Sequence, residues 1–363
     1  MKYSGKYFFF LKMRIKIPLQ FCCFYCIIMI LVYSGFIGYF ADITAKCPKK
    51  RYINIKWVNV EIRFRFSGST EGWIFLSADL HCHTRLSNGS LGIEDLILLA
   101  KKRGITTIAI TDHDCLAGTV RGKVIGERHG VTVIPGVELS GTDRTTGQEI
   151  HMLCYKPDFP DRLEGLCRRS SLIRKKSSHI MMLKAAQRYP VTPESIVKCA
   201  SGSTNIFKIH IMQALMENGY TDRIYGELYK NLFSSEVEGN INNVPEYEDV
   251  FDVLKAIHDA GGIAVLANPQ RCKNEKLLDE LVAAGLDGIE VYSPELSDSE
   301  KVEFIKYAKN NKLLTTGGSN FKGLYNKNVV SVGDCDLPDE CVQELNTYKT
   351  RKKKAERKTA KTE

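Results

Sequence analysis

From Ala78 onward the chain alternates short β-rich runs with amphipathic stretches, and this alternation constrains the fold more than any other feature. It is the pattern of parallel strands joined by helical crossovers. Strands are predicted at 78–82, 107–111, 131–139, 149–155, 263–267, 288–292 and 313–316, and seven of them fit a closed α/β barrel. Helices are predicted at 93–102, 120–129, 250–260, 276–284 and 299–310, with Gly104 and the Gly261-Gly262 pair as stop signals. Between about 160 and 245 the alternation gives way to Arg, Lys, Met and Leu at helical spacing, which predicts a helical insertion riding on the barrel.

The 363 residues are 44% hydrophobic and 26% charged, which excludes wholesale disorder, collagen and a multi-span membrane protein. The net charge of +9 would suit a polyanion-binding protein, but it sits at the ends. Residues 1–77 carry 12 basic against 3 acidic side chains and residues 348–363 carry 8 against 2, which leaves 31 basic and 37 acidic in 78–347. Chemistry located in the body therefore belongs to an acidic domain.

The extension 1–77 contains an uncharged run from Ile17 to Ala41, long enough to cross a bilayer. Lysines and arginines flank it on both sides, so orientation cannot be read. Three readings stand for it: a membrane anchor tethering a cytoplasmic catalytic domain, a signal peptide, or upstream sequence read from a start codon placed too early. The tail 348–363 is a charge run expected to be disordered or a frayed helix; nucleic acid could be contacted only through it. Eight cysteines lie in the body with no paired spacing, the usage of a reducing compartment.

In a parallel barrel the chemistry collects where the C-terminal strand ends converge on one mouth. The first predicted strand ends in Asp79-Leu80-His81-Cys82-His83, and His81 and His83, two apart, point to the same side of an extended chain. The second ends in Thr111-Asp112-His113-Asp114, the third carries Glu138 and the next carries His151. Four imidazoles and a carboxylate at successive strand ends predict a divalent-metal site. His129, His179 and His258 fall in helical stretches and read as structural.

The segments DLHCHT (79–84), ITDHD (110–114), PGVELS (135–140), EIHMLCY (149–155) and TTGGSNFKG (315–323) resemble the PHP (polymerase and histidinol phosphatase) family in order and over most of residues 78–335. KIHIMQAL at 208–215 is similar to the branch containing nucleoside 3′,5′-bisphosphate phosphatases. The resemblance implies a distorted (β/α)7 barrel with up to three divalent metals, commonly Mn, Fe, Zn or Mg, hydrolysing phosphoesters of a small substrate. It implies metal ligands at His81, His83, His113, Glu138 and His151. Four implied ligand positions depart from the pattern, at Asn88, Asn268, Asn320 and Lys322. An Asn oxygen can coordinate a hard cation but brings no charge, and a protonated Lys repels one. Fewer than three metals are expected.

Two readings follow. In the first, a metal-dependent phosphatase uses metal-activated water, with His113, Asp112 and Lys322 as catalytic candidates and Lys208, His210 and Lys322 as phosphate contacts. In the second, the four substitutions leave a weakened or silent barrel that binds a phosphorylated ligand or a partner.

Overall fold

The computed structural model describes residues 41–42, 63–64, 78–274 and 276–359. The chain divides into two units, Met1–Ile74 and Phe75–Glu363. In the first, Ala41–Asp42 pairs antiparallel with Arg63–Phe64; the remainder of the apolar run at 17–41 lies outside the described residues. Among the described residues no helix is long and apolar enough to cross a membrane.

The second unit is built on one seven-stranded sheet, β1 (Ala78–Cys82), β2 (Thr107–Ile110), β3 (Thr132–Asp143), β4 (Gln148–Tyr155), β5 (Ile263–Leu266), β6 (Gly288–Tyr292) and β7 (Leu314–Gly317), bonded in chain order. All residues of β1, β2 and β5 are buried, as expected for strands covered on both faces. The sheet curls until its ends meet. Cys82 bridges Phe321, and the His83 amide donates to the Phe321 carbonyl at 2.9 Å. Gly318 makes this approach practicable, because a Cβ there would lie 2.3 Å from the His81 nitrogen.

One expectation is corrected. The strands are not all parallel: β4 runs antiparallel to both β3 and β5. Between Asp143 and Gln148 only four residues intervene, too few for a helical crossover but enough for a hairpin. Asp143 Oδ1 accepts the Thr145 amide at 2.9 Å and Gly147 takes φ of 68° to complete the turn.

The helices α1 (Ile93–Lys102) and α2 (Ala117–His129) cover the first strands. In α1 the buried Ile93, Leu96, Ile97 and Ala100 form one stripe, with Glu94 and Asp95 at the positive end of the helix dipole and Lys101 and Lys102 at the negative end. After β4 come α3 (Asp161–Arg188), α4 (Pro193–Cys199), α5 (Lys208–Glu217) and α6 (Glu227–Phe233). These helices have an apolar cluster of their own, which includes Met181, Ile196, Ile211, Leu215 and Phe233. Then α7 (Val250–Asp259), α8 (Leu277–Ala283) and α9 (Asp298–Asn311) complete the helical cover.

The last helix, α10 (Asp339–Thr359), continues without a break through 348, so the start of the basic tail is helical. It is also docked rather than wholly solvated. The Tyr348 hydroxyl and the Lys352 ammonium donate to Asp287 Oδ1 at 2.7 and 2.8 Å, and Lys349 donates to Asp158 at 2.8 Å. Burial raises the pKa of Asp287, but bonds from His258, Lys352, the Ala264 amide and Tyr348 outweigh it and hold the carboxyl at about 2. A carboxyl held below its unfolded value stabilises the fold above about pH 4, and that contribution fades as pH falls toward 2. Deleting residues 348–363 is therefore expected to lower unfolding free energy by about 1–3 kcal/mol at pH 7. Urea unfolding checks this, and the difference should narrow between pH 4 and pH 2.

Candidate metal centre

The mouth is organised around a single buried carboxylate. Glu138, central in β3, places Oε2 3.2 Å from His81 Nε2, 3.1 Å from His83 Nε2 and 3.3 Å from His113 Nδ1. Its Oε1 lies 3.8 Å from His151 Nδ1. Two groups of donors share it, His81 with His83 and His113 with His151. The sequence-predicted His81, His83, His113, Glu138 and His151 thus come together. His151 arrives differently from the expectation: its strand is antiparallel, so it faces the mouth from the N-terminal half of β4, opposite Ser140.

The donor chemistry fits a divalent cation. His81 Nε2 and His83 Nε2 face each other at 3.2 Å, while the Nδ1 atoms of His113 and His151 are buried without a hydrogen-bond partner among the described residues. Orphaned buried ring nitrogens around one carboxylate are costly unless something electron-poor sits among them. Burial disfavours a charge on His81, but Glu290 and Glu138 together outweigh it and raise its pKa to about 10. Burial and then the Lys322 charge push His83 down to about 3. Burial also opposes the Glu138 charge, yet the surrounding imidazoles hold its carboxyl well below the usual range. A divalent cation held here would compete with the proton that these carboxylates favour on His81.

Glu290 was not a sequence candidate. From β6 it accepts the His81 Nδ1 proton at 2.7 Å and the Asn268 amide at 3.1 Å, and it is buried. This bond turns His81 Nε2 toward Glu138, the role of a carboxylate behind a metal-ligating histidine. The available signal was a lone acid inside the otherwise apolar run GIEVY.

The four substituted positions divide. Asn88 Oδ1 and Asn268 Oδ1 are buried with no partner among the described residues. Asn320 Oδ1 instead accepts a short hydrogen bond from the Lys322 ammonium, and burial lowers the Lys322 pKa. Asn268 and Asn320 adopt φ of 48° and 50°, a conformation Asn tolerates better than most residues.

Asp112, one of the sequence candidates, is buried beside the loop that follows β1. Its carboxylate accepts from the Thr84 amide at 2.7 Å and from the Thr84 and Ser87 hydroxyls at 2.6 Å each, so it clamps the loop after β1. Ser87 Oγ in turn lies 3.4 Å from His83 Nδ1. Asp114 accepts from Ser140 and from Arg174 Nη2 at 3.1 Å. Arg174, in α3, lies over the rings of Phe207 and Tyr247 at 5.1 Å, and its buried Nε has no partner among the described residues. Nothing in the Arg- and Lys-rich sequence of α3 distinguished this arginine from its neighbours.

Lys208 and His210 do not join the imidazole cluster. The Lys208 ammonium lies 5.5 Å over the Phe233 ring. His210 is buried and its Nδ1 accepts the Phe207 amide at 3.1 Å. The Phe207 ring connects the two regions, 5.8 Å from His113 on one side and 5.8 Å from His210 on the other. His258 is bonded to Asp287, in keeping with its structural reading. All eight cysteines among the described residues are free.

Comparison with known proteins gives this geometry a setting. The sequence pattern of the PHP domain matches residues 79–265. A phosphoribosyl 1,2-cyclic phosphate 1,2-diphosphodiesterase from Eggerthella lenta is 32% identical over 252 residues, covering 69% of this chain and 95% of that protein. A 3′,5′-nucleoside bisphosphate phosphatase from Chromobacterium violaceum is 27% identical over 67% of this chain and 86% of its own. A solved structure of a candidate metal-dependent phosphoesterase from Bifidobacterium adolescentis is 26% identical and superposes with a TM-score of 0.66, covering 75% of this chain and 96% of that one.

Proposed function

The chain belongs to the PHP domain family, a family of metal-dependent phosphoesterases, and on that premise we propose that it hydrolyses a phosphoester of a small phosphorylated substrate such as a nucleoside 3′,5′-bisphosphate. The observation that carries the reading is the Glu138 carboxylate ringed by four imidazoles, two of which have an orphaned ring nitrogen. His81, His83 and Glu138 would hold one divalent cation and His113, Glu138 and His151 a second, with the unpartnered Asn88 and Asn268 oxygens as neutral supplements. Mn, Fe, Zn or Mg bound by these residues would supply Lewis acidity and a water of lowered pKa.

The protein's own groups do the rest. Glu290 fixes the orientation of His81, and Ser87 borders His83. Lys322 contributes a positive charge on the side of Asn320, where a phosphate oxygen would be held as by a point charge. Arg174 and Lys208 supply further positive charge on the side of Phe207.

A second reading rests on the bond between Lys322 and Asn320. With that oxygen engaged by an ammonium, the cluster loses a ligand and gains a repelling charge, which favours a barrel that binds phosphate without turnover. The two readings separate in one experiment. The purified chain is stripped with chelator, reloaded with Mn, assayed for bound metal, and supplied with adenosine 3′,5′-bisphosphate. Metal-dependent phosphate release that is lost in His81→Ala supports the enzyme. Absence of turnover, with turnover appearing once Asn88→Asp, Asn268→His, Asn320→Asp and Lys322→His are combined, would overturn it in favour of the silent barrel.

A further inference from the structure

The His151 ring lies between two carboxylates. Its Nδ1 is 3.8 Å from Glu138 Oε1, and its Nε2 is 3.6 Å from Glu149 Oε1. We propose that Glu149 is a positioning residue for His151: it accepts from the Nε2–H when Nδ1 takes a cation. It thereby sets the affinity of the cation held by His113, Glu138 and His151, and not of the one held by His81, His83 and Glu138. The inference rests on the reading of this cluster as a metal centre.

A neutral imidazole has two nitrogens and one proton. A cation beside Glu138 needs the Nδ1 lone pair, which leaves the proton on Nε2, and Glu149 is the carboxylate that Nε2 faces. The strand brings the two together, because residues 149 and 151 are two apart in β4 and share one side of it. Glu149 Oε1 is buried without a hydrogen-bond partner among the described residues, and 3.6 Å is too long for a hydrogen bond. An acceptor with no donor thus stands behind a ring whose Nδ1 is itself orphaned. Each makes the other useful only when something electron-poor occupies Nδ1.

Arg174 does not account for this carboxylate. Its Nη2 is 3.5 Å from Glu149 Oε1, farther than from Ser140 Oγ at 2.7 Å or Asp114 Oδ2 at 3.1 Å, so the guanidinium is served by other acceptors. The other pair of rings is backed differently. Glu290 accepts from His81 Nδ1 at 2.7 Å. The single hydroxyl proton of Ser87 goes to Asp112 at 2.6 Å, so Ser87 Oγ accepts from His83 Nδ1 at 3.4 Å. Glu149 and Glu290 therefore serve different cations.

The test titrates the chelator-stripped full chain with Mn and counts the free ion by electron paramagnetic resonance, so it does not depend on turnover. Glu149→Gln, which keeps the shape of the side chain, and Glu149→Ala are expected to weaken one binding step by about 10- to 100-fold and to leave the other as it is. The loss should be larger for Ala, because the Gln oxygen still accepts. Glu290→Gln is expected to weaken the other step. No change in either Glu149 variant, equal weakening of both steps, or a loss at the same step as in Glu290→Gln would overturn the proposal while the metal-centre reading stands. A wild-type chain that binds no Mn would sink that reading and the proposal together.

Discussion

A Glu138→Gln variant is expected to lose bound divalent metal on dialysis and to lose activity by on the order of 10³-fold. The substitution keeps the shape of the side chain and removes the one negative charge that three imidazoles approach within 3.3 Å. Both donor groups share this carboxylate, so a single change weakens both, whereas replacing His83 or His151 would touch only one. Elemental analysis of the dialysed protein checks the prediction without relying on turnover. The fold should survive, because the Glu138 side chain adds no backbone bonds and His81 keeps its partner Glu290. A Glu138→Gln protein that retains stoichiometric metal would refute the shared-carboxylate account.

Asp79→Ala is expected to cost about 3–5 kcal/mol of stability, more than any ordinary surface change. Asp79 is fully buried and accepts four hydrogen bonds: Ser319 amide at 2.9 Å, Ser319 hydroxyl at 2.5 Å, Gly333 amide at 2.8 Å and His81 amide at 3.2 Å. Three of those donors come from chain more than 230 residues away in sequence, so this carboxylate staples the first strand to the segment after the last. Removing it strands the donors in a site that water does not reach. The same staple holds β1, and therefore His81 and His83, against the loop carrying Asn320 and Lys322. Denaturant unfolding gives the number; a loss under about 1 kcal/mol would show that the curl of the sheet holds without it.

The sequence placed the strands and most helices within a few residues because their signals are local. Alternation of apolar runs, helix stop residues and acid-to-base polarity along α1 can be read without knowing what any element touches. The direction of β4 was misjudged because period and propensity are the same for parallel and antiparallel strands; the four-residue turn after Asp143 was the only cue. The partners of Asp112 were likewise illegible: it lies next to His113 in ITDHD, but neighbouring residues in an extended segment point to opposite sides, and its carboxylate accepts from Thr84 and Ser87. Glu290 and Arg174 were missed because what makes them matter, a partner 209 residues away for one and three acceptors and two rings for the other, does not exist in one dimension.

The residues that can bind a cation were thus determined by sequence alone: His81, His83, His113, Glu138 and His151 stand at strand positions, and strands of one curled sheet have few ways to avoid meeting there. Tertiary structure decided how those residues are used. It made Glu138 the carboxylate shared by all four rings, set Glu290 behind His81, and tied Lys322 to Asn320. The reason is that strand periodicity specifies which face a side chain occupies, whereas partners, burial and charge depend on segments brought together only when the sheet curls and its first strand meets the loop after its last.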